Sequence, residues 1–215
     1  MNSDTTAAHT FPAERLRAFV DAVVAIAMTL LILPLMESAS EASKFQHEHP
    51  DFGTGQFFVE HSGQVGALIM SFALIALAWT KHHRLYAAVQ EVTTSLVWLN
   101  ILWMFMVICL PVTTALVGAL HTDAALFIAY VVNLILLYLS SLGGRLYLLR
   151  HLSLVDASRI TVWNGIIADI VAVALFGIAL VLGLLMPKVG FSTLFLMLFT
   201  SLGARLFSRK EQETP

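Results

Sequence analysis

Long runs without a charged residue constrain this chain more than any other feature of its sequence. A helix needs about 20 apolar residues to cross the roughly 30 Å hydrocarbon core of a bilayer. Such runs, of which two contain a single aspartate each, cover residues 18–35, 63–80, 92–117, 124–144, 160–186 and 189–204. The sequence therefore predicts an all-α integral membrane protein with six transmembrane helices in a lipid bilayer.

The composition excludes most soluble functions. Apolar residues make up 58% of the 215 residues and charged residues only 12%, against about a quarter charged in globular domains. A net charge of -2 offers no basic surface for nucleic acid. The sequence has no nucleophile elbow, no phosphate-binding glycine loop and no zinc-protease signature. We therefore expect no enzyme, no catalytic residues, no resident cofactor and no nucleic-acid partner.

The distribution of Lys and Arg predicts the topology. Of the 12 basic residues, ten fall on one side of the predicted spans, and only Lys44 and Lys188 fall on the other. Because positive charge favours the cytoplasmic side, both termini are predicted to be cytoplasmic, in a cell (inner) membrane. Residues 37–57 are predicted to be an outer loop. Residues 1–14 and 208–215 are predicted to be disordered tails around a membrane domain of residues 15–207.

The first apolar run has two interpretations. Arg15 and Arg17 precede it and small residues follow it, as in a cleavable signal peptide. However, the run is long for a signal sequence and contains Asp21, which a disposable segment does not need. We therefore interpret it as a permanent helix.

Asp21 and Asp169 are the acidic residues inside the predicted spans. Charged groups at membrane depth are costly and often functional. Asp21 follows Arg17 by four residues, so it either forms an ion pair within the helix or caps the start of that helix. Asp169 has no basic residue within one turn. It must find a donor on another helix, remain protonated or face water.

Histidines provide weak candidates for metal ligands. His82 and His83 are adjacent, so on a helix they point about 100° apart and cannot hold one metal ion from a single face. Residues 47–51 include His47 and His49 with two acids, but without the spacing of a known metal site. Asn100 and the other uncharged polar residues in the spans are interpreted as contacts between helices. We predict no metal site.

The first span has a distinct apolar face. At about 100° per residue, Ile26, Leu30 and Leu33 lie within one sector together with Thr29, while Asp21 lies on the opposite side. The same pattern is typical of a face turned toward lipid. An apolar ring on the symmetry axis of an oligomer could also close a pore by dewetting.

Three segments resemble a known family. Residues 15–21 read Arg-Leu-Arg-Ala-Phe-Val-Asp and lead to Ile26 and Thr29; residues 79–84 read Trp-Thr-Lys-His-His-Arg, and residues 98–100 read Trp-Leu-Asn before a Leu-Pro pair. These resemble the Arg-x-x-Ala-Phe-Ser-Asp signature and the following helices of the transmembrane protein 175 family, which comprises endosomal and lysosomal potassium channels and bacterial relatives.

The resemblance implies a potassium channel of non-canonical fold, assembled as a homotetramer from single six-helix chains. It implies that the first helix lines the pore for potassium and other monovalent cations. Ile26, Leu30 and Leu33 would form the constriction, and Thr29 would tune selectivity. The resemblance also implies a packing network, made of Arg15, Phe19, Asp21, His82, His83, Trp98 and Asn100.

One residue departs from the family pattern, and two other functions stay open. Val20 stands where the signature has serine, so the hydrogen bond of that hydroxyl is absent. A secondary or proton-coupled transporter could use Asp169 as its coupling acid. A non-conducting scaffold would instead tolerate polar substitutions around Ile26.

Overall fold

The computed structural model describes residues 10–49, 51–119 and 124–186. Its elements are β1 (Thr10–Pro12), α1 (Ala13–Leu30), α2 (Leu33–Glu48), α3 (Thr54–Glu60), α4 (Ser62–Ala87), β2 (Glu91–Thr93), α5 (Thr94–Ala119), α6 (Ala124–Arg150), a 3-10 turn (Leu152–Leu154) and α7 (Arg159–Leu185). The predicted helical fold is confirmed. The sixth predicted span, 189–204, and the tail 208–215 lie outside the described residues.

Five stretches in the described part of the chain are long and apolar enough to cross a membrane. They are α1 taken together with α2, followed by α4, α5, α6 and α7. The helices α5 and α7 begin within two residues of the predicted spans, and α6 begins at the predicted residue. Both α4 and α6 end later in the sequence than predicted. Each predicted span stopped before the first charged residue, whereas the helix continues through the charged residues that follow.

A proline interrupts the helix that contains the first span. Pro34 has no amide hydrogen, so it cannot bond to the carbonyl group of Leu30. The hydrogen-bonding pattern breaks at Leu31 and Ile32, and α2 starts at Leu33 with the proline in its first turn. Leu31 and Ile32 nevertheless keep right-handed helical dihedral angles. The chain therefore continues in nearly the same direction from α1 into α2.

The predicted outer loop is wrong, because residues 37–57 are largely helical. They form most of α2 and the start of α3, in a polar sequence with no apolar run long enough to predict a span of its own. The Ser38 hydroxyl donates to Gln64 Oε1 over 3.0 Å, which ties α2 to α4. Phe52 is buried, and Gln46 Nε2 donates to its carbonyl group over 2.9 Å. This packing lets α2 and α3 run beside each other outside the apolar stretches.

The helices α1, α4, α5, α6 and α7 enclose the main apolar core. The first helix packs against α4 and α5, and α7 packs against α6. Gly183 permits this last contact, because a Cβ atom at that position would lie only 2.2 Å from the ring of Phe127. Membrane helices commonly use small residues in this way to bring their backbones together.

A short antiparallel pairing joins the start of α1 to the start of α5. In it, β1 pairs with β2, with Phe11 opposite Val92, and the Ala13 amide donates to the Gln90 carbonyl over 3.2 Å. Residues 10–14 were predicted to belong to a disordered tail, and this part of the prediction is wrong. Ala13 is buried against α4, α5 and their connection, so the pairing fixes where α1 begins.

Candidate pore helix and its anchors

The helix α1 has one packed face and one uncovered face. Val20, Val24 and Ala27 are almost fully buried against α4 and α5. Ile26 is 59% exposed, and Leu30 and Leu33 are also exposed. The predicted constriction residues thus share one side of α1 and of its continuation into α2 at Leu33, and the rest of the described chain leaves this side open.

Thr29 lies on the same uncovered face. Its hydroxyl donates to the Ile26 carbonyl over 2.7 Å, so its hydrogen is used within the helix. The lone pairs of the Thr29 hydroxyl oxygen remain available as acceptors, on a face of the helix that is otherwise hydrocarbon. Such a face can border an aqueous path, but it cannot replace the hydration shell of a cation.

Asp21 anchors α1 to α4. Trp79 Nε1 donates to Asp21 Oδ1 over 2.8 Å, and His83 Nδ1 lies 3.4 Å from the same oxygen. The predicted pair between Arg17 and Asp21 is not formed. Arg17 donates instead to the Ala87 carbonyl over 3.3 Å, because α4 brings better partners to both side chains.

A second network holds α4 to α5 just behind this anchor. Asn100 Oδ1 accepts from His82 Nε2 over 2.9 Å, and Asn100 Nδ2 donates to the Tyr86 hydroxyl and to the Leu96 carbonyl, each over 2.7 Å. The His82 ring stacks between those of Tyr86 and Trp103. The structure thus brings together the predicted residues Asp21, His82, His83 and Asn100, as two neighbouring contacts.

Three other residues of the predicted network lie outside these contacts. Arg15 is exposed, Phe19 is 58% exposed and Trp98 is 66% exposed. Trp98 precedes Asn100 by two residues and therefore points about 200° away from it around α5. Trp103 follows Asn100 by three residues and shares its face, so Trp103 stacks on His82 where the sequence had suggested Trp98.

Asp169 finds its donor on a neighbouring helix. Arg145 Nε donates to Asp169 Oδ2 over 2.8 Å, and the Ser141 hydroxyl donates to the same oxygen over 2.9 Å. Both charged side chains are buried. Arg145 follows directly on the predicted span 124–144 and was therefore expected outside a helix, which is wrong, because α6 continues to Arg150 and carries Arg145. Gly165 leaves room for the guanidinium, since a Cβ atom there would lie 2.2 Å from Nη1.

A further polar contact in the core involves residues that were not predicted as site residues. Thr114 Oγ1 donates to Ser71 Oγ over 2.7 Å, and Ser71 lies 2.9 Å from the Tyr130 hydroxyl. Uncharged groups of this kind commonly join helices in membranes. The one sequence feature that could have identified them as polar contacts between helices is that they lie inside apolar runs.

Within the described residues, no group of three His, Cys, Asp or Glu side chains is arranged to hold a metal ion. In α2, the His47 ring donates to the Ser43 carbonyl of its own helix over 2.8 Å. The His49 ring packs on Phe45, with the two ring centres 4.1 Å apart. These two histidines therefore contribute to the packing of α2.

Comparisons with known proteins point to one family. Residues 15–111 match the family model described as the endosomal/lysosomal potassium channel TMEM175. A potassium channel of Chryseobacterium sp. (strain P1-3) is 31% identical over 108 residues, which are 50% of this chain and 50% of that protein. The endosomal/lysosomal proton channel TMEM175 of Mus musculus is 36% identical over 98 residues, which are 46% of this chain and 20% of that protein.

A solved structure resembles the whole fold. The crystal structure of a lysosomal potassium-selective channel TMEM175 homolog from Chamaesiphon minutus aligns with a TM-score of 0.60 at 21% identity, over 87% of this chain and 95% of that one. This likeness concerns the fold. The chain spans about half the length of the bacterial relative that it matches in sequence, and the matched region contains α1, α4 and most of α5.

Proposed function

Because residues 15–111 match the TMEM175 family model, we propose that the chain is a member of this family and a potassium-permeable cation channel with a pore lined by α1. The chain is a multi-pass membrane protein whose named relatives are channels and not enzymes. The observation that carries the proposal is the uncovered face of α1. Ile26, Leu30 and Leu33 stay open while the opposite side of the helix is packed.

The pore requires several copies of the chain. One copy presents a single wall, so conduction runs along the axis of a homotetramer whose four α1 helices face one another. Each chain contributes six membrane helices with both termini in the cytoplasm, in keeping with the distribution of Lys and Arg. The sixth predicted span, residues 189–204, lies outside the described residues.

A hydrophobic constriction explains how such a pore works without a charged filter. Rings of Ile26, Leu30 and Leu33 exclude water when they are narrow and admit hydrated or partly hydrated ions when they widen. Transport is passive, and selectivity for potassium is modest because hydrocarbon does not coordinate ions. Thr29 supplies hydroxyl oxygens between the apolar rings and tunes selectivity.

The departure of this chain from the family signature leaves the pore wall intact. Val20 replaces the family serine and is 1% exposed, within the core. The substitution therefore exchanges a hydroxyl for hydrocarbon on the packed side of α1. The uncovered side, which carries the constriction, is unaffected.

The burial of Asp169 argues against the transporter alternative. Its carboxylate is neutralised by Arg145 and is closed off from solvent within the described chain. A coupling acid must exchange protons or ions with water during each cycle. The geometry favours a structural role for Asp169 and leaves conduction to α1.

Bilayer recordings of the reconstituted protein test the channel proposal. We expect discrete unitary currents, with a reversal potential that favours potassium under opposing potassium and sodium gradients. Ile26→Asn introduces an amide into the constriction, so it is expected to raise conductance or weaken selectivity. Ile170→Asn on α7 is the matched control, since Ile170 is 51% exposed but lies on a different helix.

The result can contradict the proposal in three ways. Saturable uptake without unitary current in the same vesicles would favour a carrier. Unchanged currents in a well-expressed Ile26→Asn oligomer would remove Ile26 from the pore axis. Equal effects of Ile26→Asn and Ile170→Asn would show that the change is a general consequence of a polar side chain in lipid.

A further inference from the structure

The buried stripe of α1 continues without a phase change through the proline break into α2. On one side of the helix, within about 100° of its circumference, lie the buried or half-buried residues Val20, Val24, Ala27, Leu31, Pro34, Leu35, Ser38 and Ala42. The helical dihedral angles at Leu31 and Ile32 account for this continuity. The hydrogen bond from Ser38 to Gln64 holds the inner side of α2 against α4.

The uncovered stripe must therefore continue as well. Beyond Leu33 the exposed residues on the same side of the helix include Ser40 and the charged residues Glu37, Glu41, Lys44 and Glu48. At 1.5 Å per residue, Glu37 lies about 6 Å beyond Leu33 and Lys44 about 16 Å beyond it. Glu37 is thus the first charged residue on the line that carries the proposed constriction.

From this placement we infer that Glu37 determines conductance by attracting cations to the outer mouth of the pore. The inference rests on the proposed function, because symmetry around an α1-lined axis turns one Glu37 per chain into a ring of carboxylates. Its side chain is exposed and has no hydrogen bond or ion pair within the described residues. No neighbouring group among the described residues therefore neutralises its carboxylate, which attracts cations at the outer mouth of the pore.

The charged residues near Glu37 set the sign of the electrostatic potential at the outer mouth, and the salt concentration sets its range. Glu37, Glu41 and Glu48 are negative, and Lys44 opposes them from about 10 Å beyond Glu37 and about 4.5 Å beyond Glu41. Carboxylates at a low-dielectric opening raise the local concentration of cations. Because this attraction is screened by salt, the effect is large at low ionic strength, where the Debye length is about 30 Å at 0.01 M, and vanishes near 1 M, where it is about 3 Å.

Unitary conductance in potassium chloride tests this inference. Glu37→Gln is expected to lower the current that enters from the α2 side by about threefold at 0.01 M salt and to leave it unchanged at 1 M. Current in the opposite direction is expected to change less. Glu60→Gln is the matched control: it removes one acid from α3, which packs on the inner side of α2, away from the uncovered stripe.

A chemical restoration separates charge from folding. In a Cys109→Ala background, Glu37→Cys is expected to recover its low-salt conductance when a thiol reagent attaches a negative group and to lose more when the reagent is positive. Equal conductance of wild type and Glu37→Gln at low salt would overturn the inference, as would an equal loss in Glu60→Gln or a loss that persists at 1 M.

The outcome also distinguishes this inference from the proposed function. Currents that respond to Ile26→Asn but not to Glu37→Gln would refute the role of Glu37 alone. A wild-type protein without unitary current would refute the channel itself, and the role of Glu37 with it.

Discussion

Replacing one member of the buried pair of Arg145 and Asp169 tests the structural role that we assign to it. Asp169→Ala leaves the guanidinium buried, with the Lys81 carbonyl 3.4 Å away as its remaining partner among the described residues. Removing one partner of a buried ion pair costs about 3–5 kcal/mol. For a chain of this length each kcal/mol lowers the melting temperature by about 2–4 °C, so we expect a loss of about 6–20 °C.

Removing both charges should cost less than removing one. In Arg145→Met with Asp169→Ala, no charge stays uncompensated, and replacement of a whole buried pair by apolar groups is often nearly neutral. Asp169→Asn keeps an acceptor for Ser141 and Arg145 and is expected to fall between wild type and Asp169→Ala. Asp156→Ala, the same change at an exposed acid, should alter stability by less than about 0.5 kcal/mol.

Thermal denaturation in detergent, followed by the monodisperse oligomer peak, measures these differences. Additive losses in the double variant would show that the two side chains are not coupled. A similar fall in melting temperature for Asp169→Ala and Asp156→Ala would show that the burial and pairing of Asp169 do not contribute to stability. In either case the structural interpretation of Asp169 would be wrong.

The same assay tests two packing predictions. Gly183→Ala drives a Cβ atom into the Phe127 ring and should cost about 1–3 kcal/mol, whereas Gly177→Ala on the same helix meets no atom within 4 Å and should stabilise slightly. A lower melting temperature in both Gly183→Ala and Gly177→Ala would contradict the expected difference between the two positions. Asn100→Ala removes the bonds to Tyr86 and to the Leu96 carbonyl and should cost about 2–3 kcal/mol; an unchanged melting temperature would show that the network carries no stability.

The membrane helices could be predicted because the bilayer imposes a simple requirement. A charge-free run of sufficient length becomes a spanning helix almost regardless of its partners, and α5, α6 and α7 begin within two residues of the predicted spans. The same criterion does not detect a polar helix. It therefore missed α2, which forms because its inner side packs against α3 and α4 and not because it must satisfy its backbone in lipid.

The site was harder to predict, because its residues are joined across distant parts of the chain. Nothing near Asp169 in sequence identifies Arg145, and treating every arginine as the end of a span placed that partner in a loop. Periodicity could have selected Trp103 over Trp98, since only Trp103 shares a face with Asn100. The strand pairing of β1 with β2 had no local signal, because its partners are about 80 residues apart.

The direction in which α1 and the start of α2 face depends on polar contacts on either side of the proposed constriction. Apolar packing between helices gains little over packing against lipid, so Val24 and Ala27 alone do not fix the rotation of the helix. Asp21 is bonded to Trp79 below the constriction, and Ser38 is bonded to Gln64 above it. Between these anchors lie the residues of the proposed constriction and the proline break. Loss of either anchor should therefore rotate or bend α1 and disturb the pore wall without touching a residue that lines it.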